Sequence, residues 1–205
     1  MYIASDGSYL SESKARSRVG GVFYLSDKPP HPNHMPNLNH PFNAPFHIVA
    51  KILKMITSSA METEVASAFY NARDGLPFRT TLEELGHPQF PTPLEVDNQT
   101  AVGFLNATMK QKHSKAIDMR FHWIKDRVAQ KQFLVYWRPG TNNNADYVSK
   151  HHSPQNIRLM RSKFFVKSVA NSLSALVHKS PAQHFLSQAF TSLQRGCDKM
   201  RRPTV

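Results

Sequence analysis

The chain has a single cysteine, Cys197, so it forms no internal disulfide and offers no cysteine pair for a zinc ribbon or a Cys-x-x-Cys redox site. No apolar run approaches the ~20 residues of a membrane-spanning helix, and Met1-Tyr2-Ile3-Ala4-Ser5-Asp6 lacks a basic region followed by an apolar stretch. Membrane and secreted readings fall, and a reducing compartment is expected. Gly-x-x-x-x-Gly-Lys-Ser/Thr, Gly-x-Gly-x-x-Gly, His-Glu-x-x-His and Gly-x-Ser-x-Gly are all absent, which removes the common nucleotide, zinc-protease and serine-hydrolase signatures. Acidic residues are scarce: 14 Asp and Glu stand against 26 Lys and Arg, a net charge of +12. That excess favours a polyanionic partner through Coulomb attraction and counterion release, nucleic acid first. What remains is a folding composition, 40% hydrophobic and 20% charged over 205 residues, enough for one α/β domain with an appendage.

Tyr2-Ile3-Ala4 reads as a strand and Asp6-Gly7-Ser8 as a turn candidate, followed by the basic Lys14, Arg16 and Arg18. Val22-Phe23-Tyr24-Leu25 is a second strand, and Lys28 to Phe46, with six prolines and three histidines, is a surface loop. Phe46 to Leu53 reads as a third strand. Ser59 with Glu62 makes a capping box ahead of Val65, Ala68, Phe69 and Ala72 at helical spacing, and a second short helix is expected over Leu76 to Leu85. Leu94-Glu95-Val96 is a short strand, and Asp97-Asn98-Gln99-Thr100 suits the start of a helix holding Val102, Leu105 and Met109. Ser114 to Gln130 carries Ile117, Phe121, Ile124 and Val128 on one face, Phe133 to Arg138 alternates as a strand, and a last helix begins near Ala145. Hairpins first and crossovers later predict a mixed sheet with helices on its faces. The extension from 166 to 205 has six basic residues against one acidic and reads as helical or disordered.

In so basic a chain, acidic residues at element ends are candidates for chemistry: Asp6, Glu62 or Glu64, Asp97 and Asp146. Each also has a structural reading. Asp6 can initiate a turn with Gly7, Glu62 can complete the capping box, and Asp97 and Asp146 can cap helices. Carboxylates brought together repel one another and are best accommodated around divalent cations; oxygen-only ligands favour magnesium or manganese over zinc. Trp123, Trp137 and Phe121 are either core or stacking surfaces, and His151 and His152 fall just beyond Asp146.

The strings DGSYLSESKARSRVGG, ITSSAMETEVASAF, TPLEVDNQTAV, SKAIDMRFHWIKDRV and VYWRPGTNNNADYVSKHH, in this order and spacing, resemble the ribonuclease H domain of copia-type long-terminal-repeat retrotransposon polyproteins. The resemblance runs from Tyr2 to about Phe165 and implies a domain over 1–165, with 28–46 as a loop insertion and 166–205 outside it. It implies a ribonuclease H-like α/β fold, a five-stranded mixed sheet flanked by helices. The family's metal-binding carboxylates carry over to Asp6, Glu64, Asp97 and Asp146. Ser149 stands where the family usually has Thr, and no histidine lies between Trp137 and Asp146.

The implied activity is endonucleolytic cleavage of the RNA strand of an RNA/DNA hybrid. Two magnesium ions ~3.5–4 Å apart, or manganese in their place, would activate water and stabilise the leaving oxygen. Lys14, Arg16, Arg18, Lys110, Lys112, Lys115 and Arg120 would contact phosphates. No polymerase signature appears in the chain, so the reverse transcriptase module of the same polyprotein is an expected partner that is absent here. The expected setting is cytoplasmic, within virus-like particles, or nuclear. The competing reading is a catalytically silent nucleic-acid-binding or assembly remnant of a retroelement.

Overall fold

Strand β1 (Tyr2–Glu12) occupies the middle of a five-stranded sheet. The antiparallel strands β2 (Arg16–Tyr24) and β3 (His47–Ile52) lie on one side of it. The parallel strands β4 (Thr92–Val96) and β5 (Phe133–Trp137) lie on the other, giving the order β3-β2-β1-β4-β5. The computed structural model describes residues 1–25, 44–109 and 119–164; most of the loop expected over 28–46 and all of the extension expected over 166–205 lie outside them. The expected five-stranded mixed sheet with helices on its faces is the observed one.

Side chains alternate along each strand, so the sheet has two unlike faces. On one, Ile3, Val19, Phe23, Leu94 and Val135 pack under helix α1 (Ala60–Glu84) with Val65, Ala68 and Ala72. Helices α2 (Gln99–Leu105) and α3 (His122–Ala129) extend this core through Phe104, Leu105 and Ile124. On the other face Tyr2, Ala4, Val22, Tyr24 and Tyr136 lie with Ala145 and Val148. Helix α4 (Asp146–Ser149) belongs to this layer, followed by α5 (Pro154–Phe164). Strand β4 is buried along its whole length, with strands on both sides of it and helices α1 and α2 against it.

Several expectations need correcting. The turn expected at Asp6-Gly7-Ser8 does not form: β1 runs on to Glu12, and the chain reverses at a 3-10 turn, Ser13–Ala15. Gly7 is there for close approach, since a Cβ on it would lie 2.9 Å from the Thr63 carbonyl oxygen of α1. The two helices expected on either side of residue 75 are one, continuing through Pro77. Proline removes one amide from the helix ladder, but contacts on its far side keep the helix together. Phe78 meets the ring edges of Phe23 and Phe46, and the Arg79 guanidinium donates to the carbonyls of Gln89 and Phe90. The helix expected from Ser114 is seen only from His122, after a 3-10 turn at Met119–Phe121; residues 110–118 lie outside the described ones. Phe121 and Trp123 pack on Phe69, with ring centroids 5.6 and 5.7 Å away, so the core reading of both holds.

Helix α1 is tied to the β1/β2 hairpin by buried polar side chains. Ser67 Oγ donates to the Asp6 carbonyl at 2.6 Å, and Asn71 Nδ2 donates to Ser5 Oγ and the Gly20 carbonyl, both at 2.9 Å. Asn71 lies directly over Gly21, where a Cβ would fall 2.0 Å from Asn71 Oδ1. Gly21→Ala is therefore expected to lower stability by about 1–3 kcal/mol, the usual range for overpacking. A urea midpoint equal to that of the wild type would show that Asn71 can swing aside freely.

Candidate metal centre

Asp6 shares a sheet face with Tyr2 and Ala4, pairs with Gly20 across the hairpin and is 1% exposed. Its carboxylate Oδ2 accepts a hydrogen bond from Ser149 Oγ of α4. Glu64 comes from the first turns of α1, and its Oε1 accepts from the Gly7 amide at 3.0 Å. Asp97 follows the end of β4, where Trp137 Nε1 donates to its backbone carbonyl at 2.9 Å. These elements bring one carboxylate oxygen from each of Asp6, Glu64 and Asp97 to within 4.8 Å of one another.

Asp146, the first residue of α4, lies outside that set of three and is ion-paired with Lys150 one turn on. It is close enough for its charge to act on Asp6. Glu62 does not reach the cluster. Its amide donates to Ser59 Oγ at 3.1 Å, while its Oε2 accepts from the Ser58 amide and hydroxyl, both at 2.6 Å. The capping box is thus offset by one residue, with the return bond going to Ser58. Asp97 caps nothing: Asn98 is the N-cap of α2, its side chain accepting from the Ala101 amide at 3.0 Å.

Burial pushes the Asp6 carboxyl up to about 6, and the charges of Asp97 and Asp146 add to this while the Ser149 hydrogen bond and Lys150 oppose it. Burial, then the charges of Asp6 and Asp97, holds Glu64 well above the ordinary glutamate range, with the Gly7 amide pulling the other way. Groups whose folded pKa is raised bind more protons in the folded state. Their stabilisation is complete below the unfolded values, roughly pH 4, and is lost as pH rises through the folded ones. In EDTA the melting temperature is therefore expected to fall between pH 5 and pH 7.5. A divalent cation, which binds the ionised form, should restore more of it at pH 7.5 than at pH 5. A cation effect independent of pH would separate these carboxylates from the binding site.

The donor set suits a hard cation. It is all oxygen, and among the described residues no donor faces the buried Glu64 Oε2. A lone carboxylate in that position is costly, whereas one shared with a divalent ion is stabilised.

The remaining candidates are dispersed. Arg18 is ion-paired with Glu12, Arg16 Nε donates to the Ser13 carbonyl at 3.1 Å, and Lys14 is exposed at the hairpin turn. Arg120 lies 3.7 Å from Met55 Sδ, and Lys110, Lys112 and Lys115 fall outside the described residues. His151 is exposed, 3.4 Å from Glu12. His152 stacks on Tyr147 and lies 2.7 Å from the Asn156 amide nitrogen. A cavity of about 540 Å³ opens beside Asp146, lined by Asn143, Tyr147, Lys150, His152, Asn156 and Met160 among others. Sequence reasoning marked Ser149 only as standing where the family usually has Thr, and gave it no part in the site. It also missed Lys150, whose pKa is raised: burial works against its charge, but Asp146, Asp6 and Asp97 outweigh it.

No family model matches the chain. Among solved structures it is similar to LC11-RNase H1, isolated from compost by a metagenomic approach, with TM-score 0.50, 15% identity and coverage of 72% of this chain and 90% of that one. The same protein in complex with an RNA/DNA hybrid matches with TM-score 0.49, 13% identity and coverage of 72% and 91%. The fold is ribonuclease H-like. Over 101 residues, 49% of the chain, it is 28% identical to the retrovirus-related Pol polyprotein from transposon TNT 1-94 of Nicotiana tabacum, of whose length it spans 8%. The resemblance to the ribonuclease H region of a retrotransposon polyprotein is borne out by that relative together with the fold.

Proposed function

We propose that the chain is a divalent-cation-dependent endonuclease that cuts the RNA strand of RNA/DNA hybrids, as the ribonuclease H part of a retrotransposon polyprotein. The observation that carries this reading is the convergence of Asp6, Glu64 and Asp97 from three separate elements, with a buried Glu64 oxygen that no donor among the described residues satisfies. The ribonuclease H-like fold and the likeness to the Pol polyprotein support it.

Asp6, Glu64, Asp97 and Asp146 would hold the cations, magnesium or manganese. Bound there, cations supply an activated water and charge neutralisation at the scissile phosphate and the leaving oxygen. The chain itself supplies orientation. The Gly7 amide turns Glu64 inward, the Ser149 hydroxyl holds Asp6, and Trp137 holds the backbone at Asp97. Lys14, Arg16, Arg18 and Arg120 are the described basic residues assigned to phosphate contacts, and the Arg18–Glu12 pair must open before Arg18 can make one. The reverse transcriptase module of the same polyprotein is the proposed partner.

The test is cleavage of an end-labelled RNA/DNA hybrid by the purified chain with magnesium, manganese or EDTA. Cation-dependent cuts in the RNA strand alone support the reading. Tight hybrid binding without cleavage in any cation would instead favour the silent remnant.

A further inference from the structure

We propose that Ser149 is a positioning residue for the carboxylate cluster: its hydroxyl fixes the orientation of the Asp6 carboxylate, and Gly20 is the residue that lets it reach. The proposal rests on reading the cluster as a cation site.

An aspartate carboxylate turns easily about its last torsion, whose preferences are broad. An external partner must therefore decide how it lies. Among the described residues, the Ser149 hydroxyl is the donor that bonds the Asp6 carboxylate, through Oδ2. Ser149 is itself 1% exposed and closes α4, so its position is set by the helix. Its hydroxyl has one proton and two acceptors in reach, Asp6 Oδ2 and the Asp146 carbonyl at 3.2 Å. The charged carboxylate is the stronger acceptor.

Gly20 is the cross-strand partner of Asp6. Any side chain there would stand beside Asp6 on the same sheet face, the position that normally decides how a strand side chain is packed. A Cβ on Gly20 would lie 2.7 Å from the Ala145 carbonyl oxygen and 2.9 Å from both Ser149 Cβ and Ser149 N. The missing side chain is thus replaced by the body of α4, which puts Ser149 in the cross-strand slot. The same short helix carries Asp146, so its seating on Gly20 fixes a donor and a carboxylate together.

The experiment titrates the full chain with Mn2+ by calorimetry, without nucleic acid, and separately measures kcat and KM on the hybrid. Ser149→Ala is expected to weaken Mn2+ binding about tenfold, the low end for loss of an outer partner of a ligand, and to lower kcat with KM little changed. Ser149→Thr, which keeps the hydroxyl, should bind as the wild type does. Gly20→Ala, with Ser149 intact, should reproduce the weakening. Wild-type Mn2+ affinity in a folded Ser149→Ala chain overturns the proposal, as does a Ser149→Thr chain as weak as the alanine one. If Gly20→Ala fails to fold by circular dichroism, the Ser149 pair decides alone. A flat wild-type titration overturns the cation reading itself and is visible before any variant is compared.

Discussion

Glu64→Gln is expected to remove cation-dependent hybrid cleavage, by more than the roughly hundredfold that loss of an outer-shell partner can cost, while Glu62→Gln leaves it intact. The two residues are both buried and two positions apart on α1, yet they serve opposite flanks of the helix. Glu64 points at Asp6 and Asp97, held by the Gly7 amide, and the carbonyl oxygen of a glutamine would keep that bond. What the substitution takes away is the charge. In EDTA at neutral pH the Glu64→Gln chain should be at least as stable as the wild type, because a buried carboxyl whose Oε2 has no donor among the described residues can no longer ionise. Glu62 accepts from Ser58 at the start of the helix, which an amide oxygen can also do. Its loss of charge beside the helix N-terminus should cost about 1 kcal/mol or less. Activity in a folded Glu64→Gln chain, or its loss in Glu62→Gln, would show that the cluster has been assigned to the wrong glutamate.

Two of the acidic positions, Glu64 and Asp97, could be placed from the chain because a clearly patterned element leads to each, whereas Asp6 lies inside β1 and not at the turn expected there. Leu94-Glu95-Val96 runs straight into Asp97, and Ser59 with Glu62 fixes where α1 starts and so where Glu64 points. Other features depend on contacts between distant segments. Gly7 looks like a turn residue until Thr63 is known to pack on it, and Pro77 looks like a break until Phe78 and Arg79 are known to be held on its far side. The Arg18–Glu12 pair spans the hairpin, so the three basic residues beside the turn looked equivalent when they are not. Glu95 could not be anticipated either. It sits two residues before Asp97, is 1% exposed, and its Oε2 accepts from the Tyr2 and Tyr136 hydroxyls with Arg138 nearby. Burial raises its pKa, yet it belongs to a tyrosine-rich layer outside the carboxylate cluster. An acidic residue within a strand reads from sequence as surface alternation, and only the far ends of β1 and β5 reveal its partners.

Asp97→Asn should abolish cleavage to a similar extent without disturbing the fold, and the structure changes the reason. A capping aspartate would have tied the substitution to helix stability, since Asn and Asp cap about equally well. Here Asn98 accepts from the Ala101 amide, so the Asp97 side chain has no part in starting α2. Trp137 holds Asp97 through its backbone carbonyl, which the substitution leaves in place. No hydroxyl, amide or amine among the described residues is bonded to the Asp97 carboxylate, whose side-chain partner is Glu64, so the change removes one negative charge facing Asp6 and Glu64. Those neighbours should then ionise more easily, and the fall in stability between pH 5 and pH 7.5 in EDTA should become shallower. The paired control is Asn98→Ala, which should cost about 1 kcal/mol of stability through the lost cap and keep the nuclease active. The two adjacent substitutions thus separate chemistry from folding: inactive but stable at 97, active but weakened at 98. Hybrid cleavage by a folded Asp97→Asn chain at the wild-type rate would take Asp97 out of the site.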